Sequence, residues 1–163
     1  MRHYAAALLL LAALATAAEA RDSLGVFDAW GAFRDPQVPR CYAIAQPDEV
    51  RGTQQYRPFA SIGYWPKRGV RGQFHLRLSR AMAKGQAVTL TIGIRRFRLT
   101  GGGGDAWARD KTMDASIIAA MRSAREMSAT SEDARGNTIR DLYLLKGAAT
   151  AMDAAALGCA GRR

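Results

Sequence analysis

Apolar and polar residues alternate with a period of two through much of this chain. In residues 73–79, Phe74, Leu76 and Leu78 fall on one face and His75, Arg77 and Ser79 on the other, the mark of a strand with one wet side. Residues 87–94 repeat the pattern, with Val88, Leu90, Ile92 and Ile94 inward and Thr89 and Thr91 outward. Other strands are predicted over 25–34 (carrying Phe27, Trp30 and Phe33), 40–46, 59–65, 106–109, 126–131 and 138–145. Arg95, Arg96 and Arg98 flank Phe97 and Leu99 in a segment that continues the preceding strand or bulges from it. Residues 47–58 read as a loop, and the four glycines at 101–104 as a flexible turn.

Helical spacing comes late. Asp114 is placed to cap a helix over 115–124, with Ile117, Ile118 and Met121 on one side. The alanine-rich segment 147–157 predicts a short terminal helix, ended by Gly158. Short strands with a turn every dozen residues or fewer predict a mostly-β domain. The expectation is a sandwich or barrel of antiparallel sheets, about seven to nine strands, with two appended helices. Trp30, Trp65, Phe59, Tyr64 and Phe74 are expected in the core, and Trp107 is the tryptophan most readily placed on the surface. The competing reading makes these rings a sugar- or partner-binding platform.

The first twenty residues follow another logic. A basic opening (Met1-Arg2-His3-Tyr4) precedes the Ala/Leu run 5–15, and Ala18-Glu19-Ala20 ends it. These are the parts of a secretory signal peptide, and the run is short of the roughly 20 residues that span a bilayer. Cleavage is expected after Ala20, leaving residues 21–163 as one β-rich domain in the periplasm or outside the cell. In that oxidising setting Cys41 and Cys159, the only two cysteines, are expected to form a disulfide.

Net charge is +10, and 20 of the 24 basic residues are arginine. Such an excess fits an anionic partner such as lipopolysaccharide, phospholipid headgroups or polysaccharide; peripheral membrane contact is compatible with it. An exported location argues against nucleic acid. Lys67, Arg68, Arg71, Arg77 and Arg80 form the first candidate contact group, and Arg95, Arg96 and Arg98 the second. The plain alternative is that these arginines are solvated strand faces.

Reaction chemistry is hard to find. After Gly104 comes Asp105-Ala106-Trp107, so the glycine run lacks the Gly-Lys-Ser/Thr of a phosphate loop. His75 is the only histidine after residue 20 and sits mid-strand; no Gly-x-Ser-x-Gly elbow occurs, and Ser79-Arg80-Ala81-Met82 misses the Ser-x-x-Lys spacing. No metal or cofactor site is expected, and no catalytic residue.

One family has a similar order of landmarks. Trp30-Gly31-x-Phe33 is followed by Cys41-Tyr42-Ala43-Ile44-Ala45-Gln46, then by Ala106-Trp107-Ala108 and the helix starting Asp114-Ala115-Ser116-Ile117-Ile118; Asp141-Leu142-Tyr143-Leu144-Leu145-Lys146-Gly147 leads into the last helix. Across residues 25–159 this resembles the invasion-associated locus B family of alphaproteobacterial exported proteins. Two departures stand out: family members often carry a cysteine where this chain has Arg34-Asp35, and a further pair before 101–108. The resemblance implies a small exported β-rich domain with no recognised active site. The expected function is therefore non-enzymatic binding at the periplasm or envelope. The alternatives are a small periplasmic hydrolase built from His75 or turn carboxylates, and a structural accessory of an envelope complex.

Overall fold

Strands hydrogen-bonded to their neighbours in a single antiparallel ribbon dominate the computed structural model, which describes residues 21–160. The expected signal peptide, 1–20, lies outside the described residues. In chain order the strands are β1 (Asp22–Phe27), β2 (Trp30–Asp35), β3 (Arg40–Ala45), β4 (Glu49–Arg51), β5 (Phe59–Trp65), β6 (Val70–Arg77), β7 (Val88–Ile92), β8 (Arg95–Gly102), β9 (Asp105–Trp107), β10 (Glu126–Glu132) and β11 (Thr138–Leu144), with helices α1 (Lys111–Ser123) and α2 (Ala148–Ala160). Their order across the ribbon is β1-β2-β3-β5-β6-β9-β8-β7-β10-β11-β4. The mostly-β, sandwich-like architecture expected from the alternation is present, with eleven strands among the described residues in place of the expected seven to nine, because short strands such as β4 form inside segments read as loop.

The ribbon changes sheet at β8. Residues 95–99 of that strand pair with β7, and residues 100–102 pair with β9. Gly101 permits the passage: a Cβ there would lie 2.0 Å from the Asp105 carbonyl oxygen. The first half (β1-β2-β3-β5-β6-β9) and the second half (β8-β7-β10-β11-β4) contribute to one core. Ala43, Ile62, Phe74 and Leu76 come from the first, and Leu90, Leu99, Ala129 and Tyr143 from the second. The Trp30 indole N–H closes the far end by donating to the Leu144 carbonyl at 2.9 Å.

Several boundaries differ from the sequence expectation. The segment 25–34 is not one strand: it breaks at Asp28-Ala29, where Asp28 takes a left-handed φ of 51° and starts a hairpin. The loop 47–58 holds the short strand β4, which pairs with β11. Ile94 does not continue β7; it sits fully exposed in the tight β7–β8 turn. Ser79 is buried, not solvent-facing. Gly101 and Gly102 belong to β8, so the turn is shorter than four residues.

Helix α1 begins a turn earlier than expected because Asp110, not Asp114, accepts from the Met113 N–H at 2.8 Å and caps it. Asp114 lies inside the helix and accepts the Phe74 backbone N–H at 2.8 Å. It thereby satisfies β6 where β9 has run out of length. Helix α2 runs through Gly158 instead of ending before it.

The two cysteines do pair. Cys41 on β3 is bonded to Cys159 on α2, with Cα atoms 5.8 Å apart and a sequence separation of 118. Ala148, Ala151, Met152 and Ala155 of α2 are buried against the inner face of the first half, which offers mostly small residues (Ala32, Ala43, Ala60). Arg122 of α1 bonds Asp153 of α2 at 2.6 Å, fastening the helices to each other. Among the described residues no helix is long and apolar enough to cross a membrane.

On the chain-entropy model a loop this long contributes about 5 kcal/mol. The Cys41→Ala/Cys159→Ala double variant is expected to lose a large share of that in urea unfolding, while added reductant leaves the variant's midpoint where it was. A variant as stable as the oxidised protein would show that the cross-link does not hold α2.

Candidate functional site

Strand parity sends the odd-numbered residues of β5 outward. Ala60, Ile62 and Tyr64 are buried in the core, while Phe59, Ser61 and Trp65 share the opposite face with Gly63. Cross-strand register extends that face as two rows. Ile44, Ser61, His75 and Trp107 form one; Phe33, Tyr42, Gly63 and Gln73 form the other. The result is a trough of about 380 Å³ on the outer side of β3, β5, β6 and β9, with Arg21 and Arg40 in its lining.

The rings are held in place by their neighbours. The His75 imidazole stacks on the Trp107 indole with centroids 4.8 Å apart and planes within 5°, and Phe59 meets His75 edge-on at 5.2 Å. Trp65 lies across Gly63, whose Cβ, were there one, would fall 2.4 Å from the indole carbons. Glycine at 63 is thus what lets the indole lie flat on the sheet. Phe33 covers Gly31 in the same manner and tilts toward Tyr42 at 5.7 Å. The Arg40 guanidinium rests over the Tyr42 ring at 4.9 Å.

Of the six rings grouped from the sequence, the structure brings Trp65, Phe59 and Trp107 to this trough, and Trp107 is 38% exposed. Trp30, Tyr64 and Phe74 are buried in the core. His75 also faces the trough. Its parity on the polar side of 73–79 was the available signal, and alternation in 59–65 was the signal missed for Ser61 and Gly63.

Chemically, His75 shows half of a catalytic arrangement. Its Nε2 lies 3.0 Å from Asp105 Oδ1, but Asp105 is also gripped by Arg77 Nη1 at 3.1 Å. The Ser61 hydroxyl donates to the His75 backbone carbonyl at 3.5 Å. A nucleophilic serine must instead give its proton to the ring nitrogen of its base. Ser61 and the His75 ring therefore share no hydrogen bond. Among the described residues no group of three or more His, Cys, Asp or Glu is arranged to hold a metal ion.

The eight basic candidates divide. Lys67 and Arg68 are exposed in a 3-10 turn after β5, and Arg71 is exposed near the start of β6. Arg96 and Arg98 project from β8, and neither they nor Arg68 and Arg71 have a carboxylate partner among the described residues. Arg95 rests on Phe97 at 5.0 Å and donates to the Ser116 carbonyl at 3.3 Å. Arg77 is tied to Asp105 and lies over Tyr56 at 4.7 Å. Arg80 does not belong to the exposed surface. It is only 9% exposed. Its guanidinium donates to the carbonyls of Thr138 at 2.7 Å and Thr53 at 3.3 Å and lies 3.2 Å from Asp133. It joins β11, the 51–53 segment and the 133–137 turn, because those carbonyls have no strand partner.

Next to Arg80 lies a buried carboxylate. Asp141 is fully buried on β11, and its Oδ2 accepts the Ser79 N–H at 2.7 Å. Burial pushes its carboxyl above the usual carboxylate range, against the bonds from Ser79 and the nearby Arg80 charge. Comparison with protein families, characterised proteins and solved structures finds no match to this chain.

Because the native Asp141 carboxyl holds its proton more tightly than the unfolded one, its stabilising share is complete below the ordinary value of about 3.9 and is lost as pH rises through the native value. Asp141→Asn keeps an acceptor for the Ser79 N–H and has no charge to bury. As pH rises above about 4 its Tm should therefore gain on that of the parent; a gap that stays constant with pH contradicts the assignment.

Proposed function

We propose that this chain is an exported, non-enzymatic binding protein of the invasion-associated locus B type, acting by surface contact on an anionic component of the periplasm or cell envelope. Export rests on the signal-peptide pattern of residues 1–20, with processing after Ala20. The Cys41–Cys159 bond supports it, since such cross-links persist in oxidising compartments. The family label rests on the landmark order from Trp30 to Cys159 set out above.

The observation that carries the reading is the imbalance of unpaired charge. Among the described residues, Asp22, Asp35, Asp105, Asp110, Asp133 and Asp153 are each engaged by an arginine. Lys67, Arg68, Arg71, Arg96 and Arg98 remain exposed without a carboxylate beside them. Cations left free on a stable β scaffold raise the local concentration of anionic partners and speed their capture. Among the described residues, the Ser61 hydroxyl and the His75 ring are not bonded to each other, which supports a contact role over a hydrolytic one.

Mature protein starting at Arg21 should bind heparin and phosphatidylglycerol vesicles at low ionic strength and be released as salt rises, because exposed charges are screened over a Debye length of about 8 Å at physiological salt. Co-sedimentation with neutral phosphatidylcholine vesicles to the same extent, or retention that ignores salt, would count against an electrostatic partner.

A further inference from the structure

We propose that the trough on the outer face of β3, β5, β6 and β9 is a binding site for an acidic glycan, a chain of sugar rings bearing carboxylates. The proposal rests on the exported, contact-acting reading above and assigns that contact to one place. Three features combine there. Two indoles are already fixed by their neighbours: Trp107 is stacked on His75, and Trp65 is seated on Gly63. Such rings present apolar area at little entropic cost on binding. The floor between them is polar, made by the Ser61 hydroxyl and the Gln73 amide.

The third feature is charge at one end. Arg40 lines the trough and also a second recess of about 310 Å³, shared with Arg34 and Lys67 beside the disulfide. Arg34 is engaged by Asp22. Arg40 rests over Tyr42 and keeps a 3.7 Å contact with Asp35, and its buried Nε has no hydrogen-bond partner among the described residues. Arg21 completes this end, and processing after Ala20 would add its new α-ammonium. A guanidinium fork suits a carboxylate. Gly63 and Trp107 are two strands apart, about 10 Å, a span that takes more than one sugar ring.

These details favour a glycan over other anions. An acyl chain needs a dry, enclosed pocket, which this open polar trough is not. A small free anion would leave both indole faces unused. A single-stranded nucleic acid also stacks on aromatic rings along a basic groove, and the exported reading argues against it; the test below decides.

The experiment titrates the mature chain with galacturonic-acid oligomers, neutral galactose oligomers of the same length and a single-stranded DNA oligonucleotide, following tryptophan fluorescence and calorimetry. The acidic oligomers should bind, with the neutral ones at least about tenfold weaker. Trp107→Ala, Trp65→Ala and Arg40→Gln should each weaken acidic binding by about tenfold. Trp107→Phe should restore most of it, with circular dichroism confirming that each variant folds. Arg135→Gln, on the 133–137 turn, should bind as the parent does. If the tryptophan variants bind normally and Arg96→Gln/Arg98→Gln fails, the trough is not the site, although the wider anionic-contact reading survives. Equal affinity for neutral oligomers, or tighter binding of DNA, overturns the glycan. No binding of any anionic probe, heparin included, removes both readings.

Discussion

The structure depends on where helix α2 is held. Where α2 packs, the inner face of the first half-sheet carries small side chains, Ala32, Ala43 and Ala60 among them, and a close-packed helix fills it. Helix α2 does this with Ala148, Ala151 and Ala155 at its contact surface. Small side chains bury little area each, so the helix gains modestly per residue. The Cys41–Cys159 bond supplies what packing alone supplies weakly: it removes much of the freedom by which a C-terminal segment leaves its sheet. With both helices committed to the inner side, the outer face of β3, β5, β6 and β9 is left free for contact.

From that constraint the surface chemistry follows. Residues that cannot face α2 must face water, so β5 places Phe59, Ser61, Gly63 and Trp65 outward because Ala60, Ile62 and Tyr64 are needed inside. Glycines at 31 and 63 let Phe33 and Trp65 lie down on the sheet, which reduces the apolar area that would otherwise stand in solvent. Most carboxylates nearby are spent on arginines that organise the scaffold, as with Asp105 between His75 and Arg77. Arginine is suited to both tasks, since its planar fork forms fixed ion pairs and stacks on rings such as Tyr42 and Tyr56.

Alternation made Phe74, Leu76, Val88, Leu90 and Ile92 legible as core from sequence, and compartment logic made the disulfide legible. Turn chemistry was less so: Asp28-Ala29 carries neither glycine nor proline, yet Asp28 adopts the left-handed conformation that reverses the chain. Asp110 takes the capping position expected of Asp114. The difference is that the Phe74 N–H needs an acceptor, and only the folded sheet reveals that. Arg80 looked like its basic neighbours because its carbonyl partners at 53 and 138 come from distant parts of the chain. The trough was hidden for the same reason. Trp65 follows the inward-facing Tyr64 on β5 and so turns outward, while Trp30 is buried at the start of β2.

The central claim, that this domain works by contact on the outer face of its first half-sheet, is most directly tested by mapping backbone amide shifts of the 15N-labelled mature protein as an acidic oligosaccharide is added. Shifts concentrated at Tyr42, Ser61, Gly63, Gln73, His75 and Trp107, with β7 and β10 silent, are the predicted result. Shifts confined to β8, or a diffuse response over the whole surface, would contradict it.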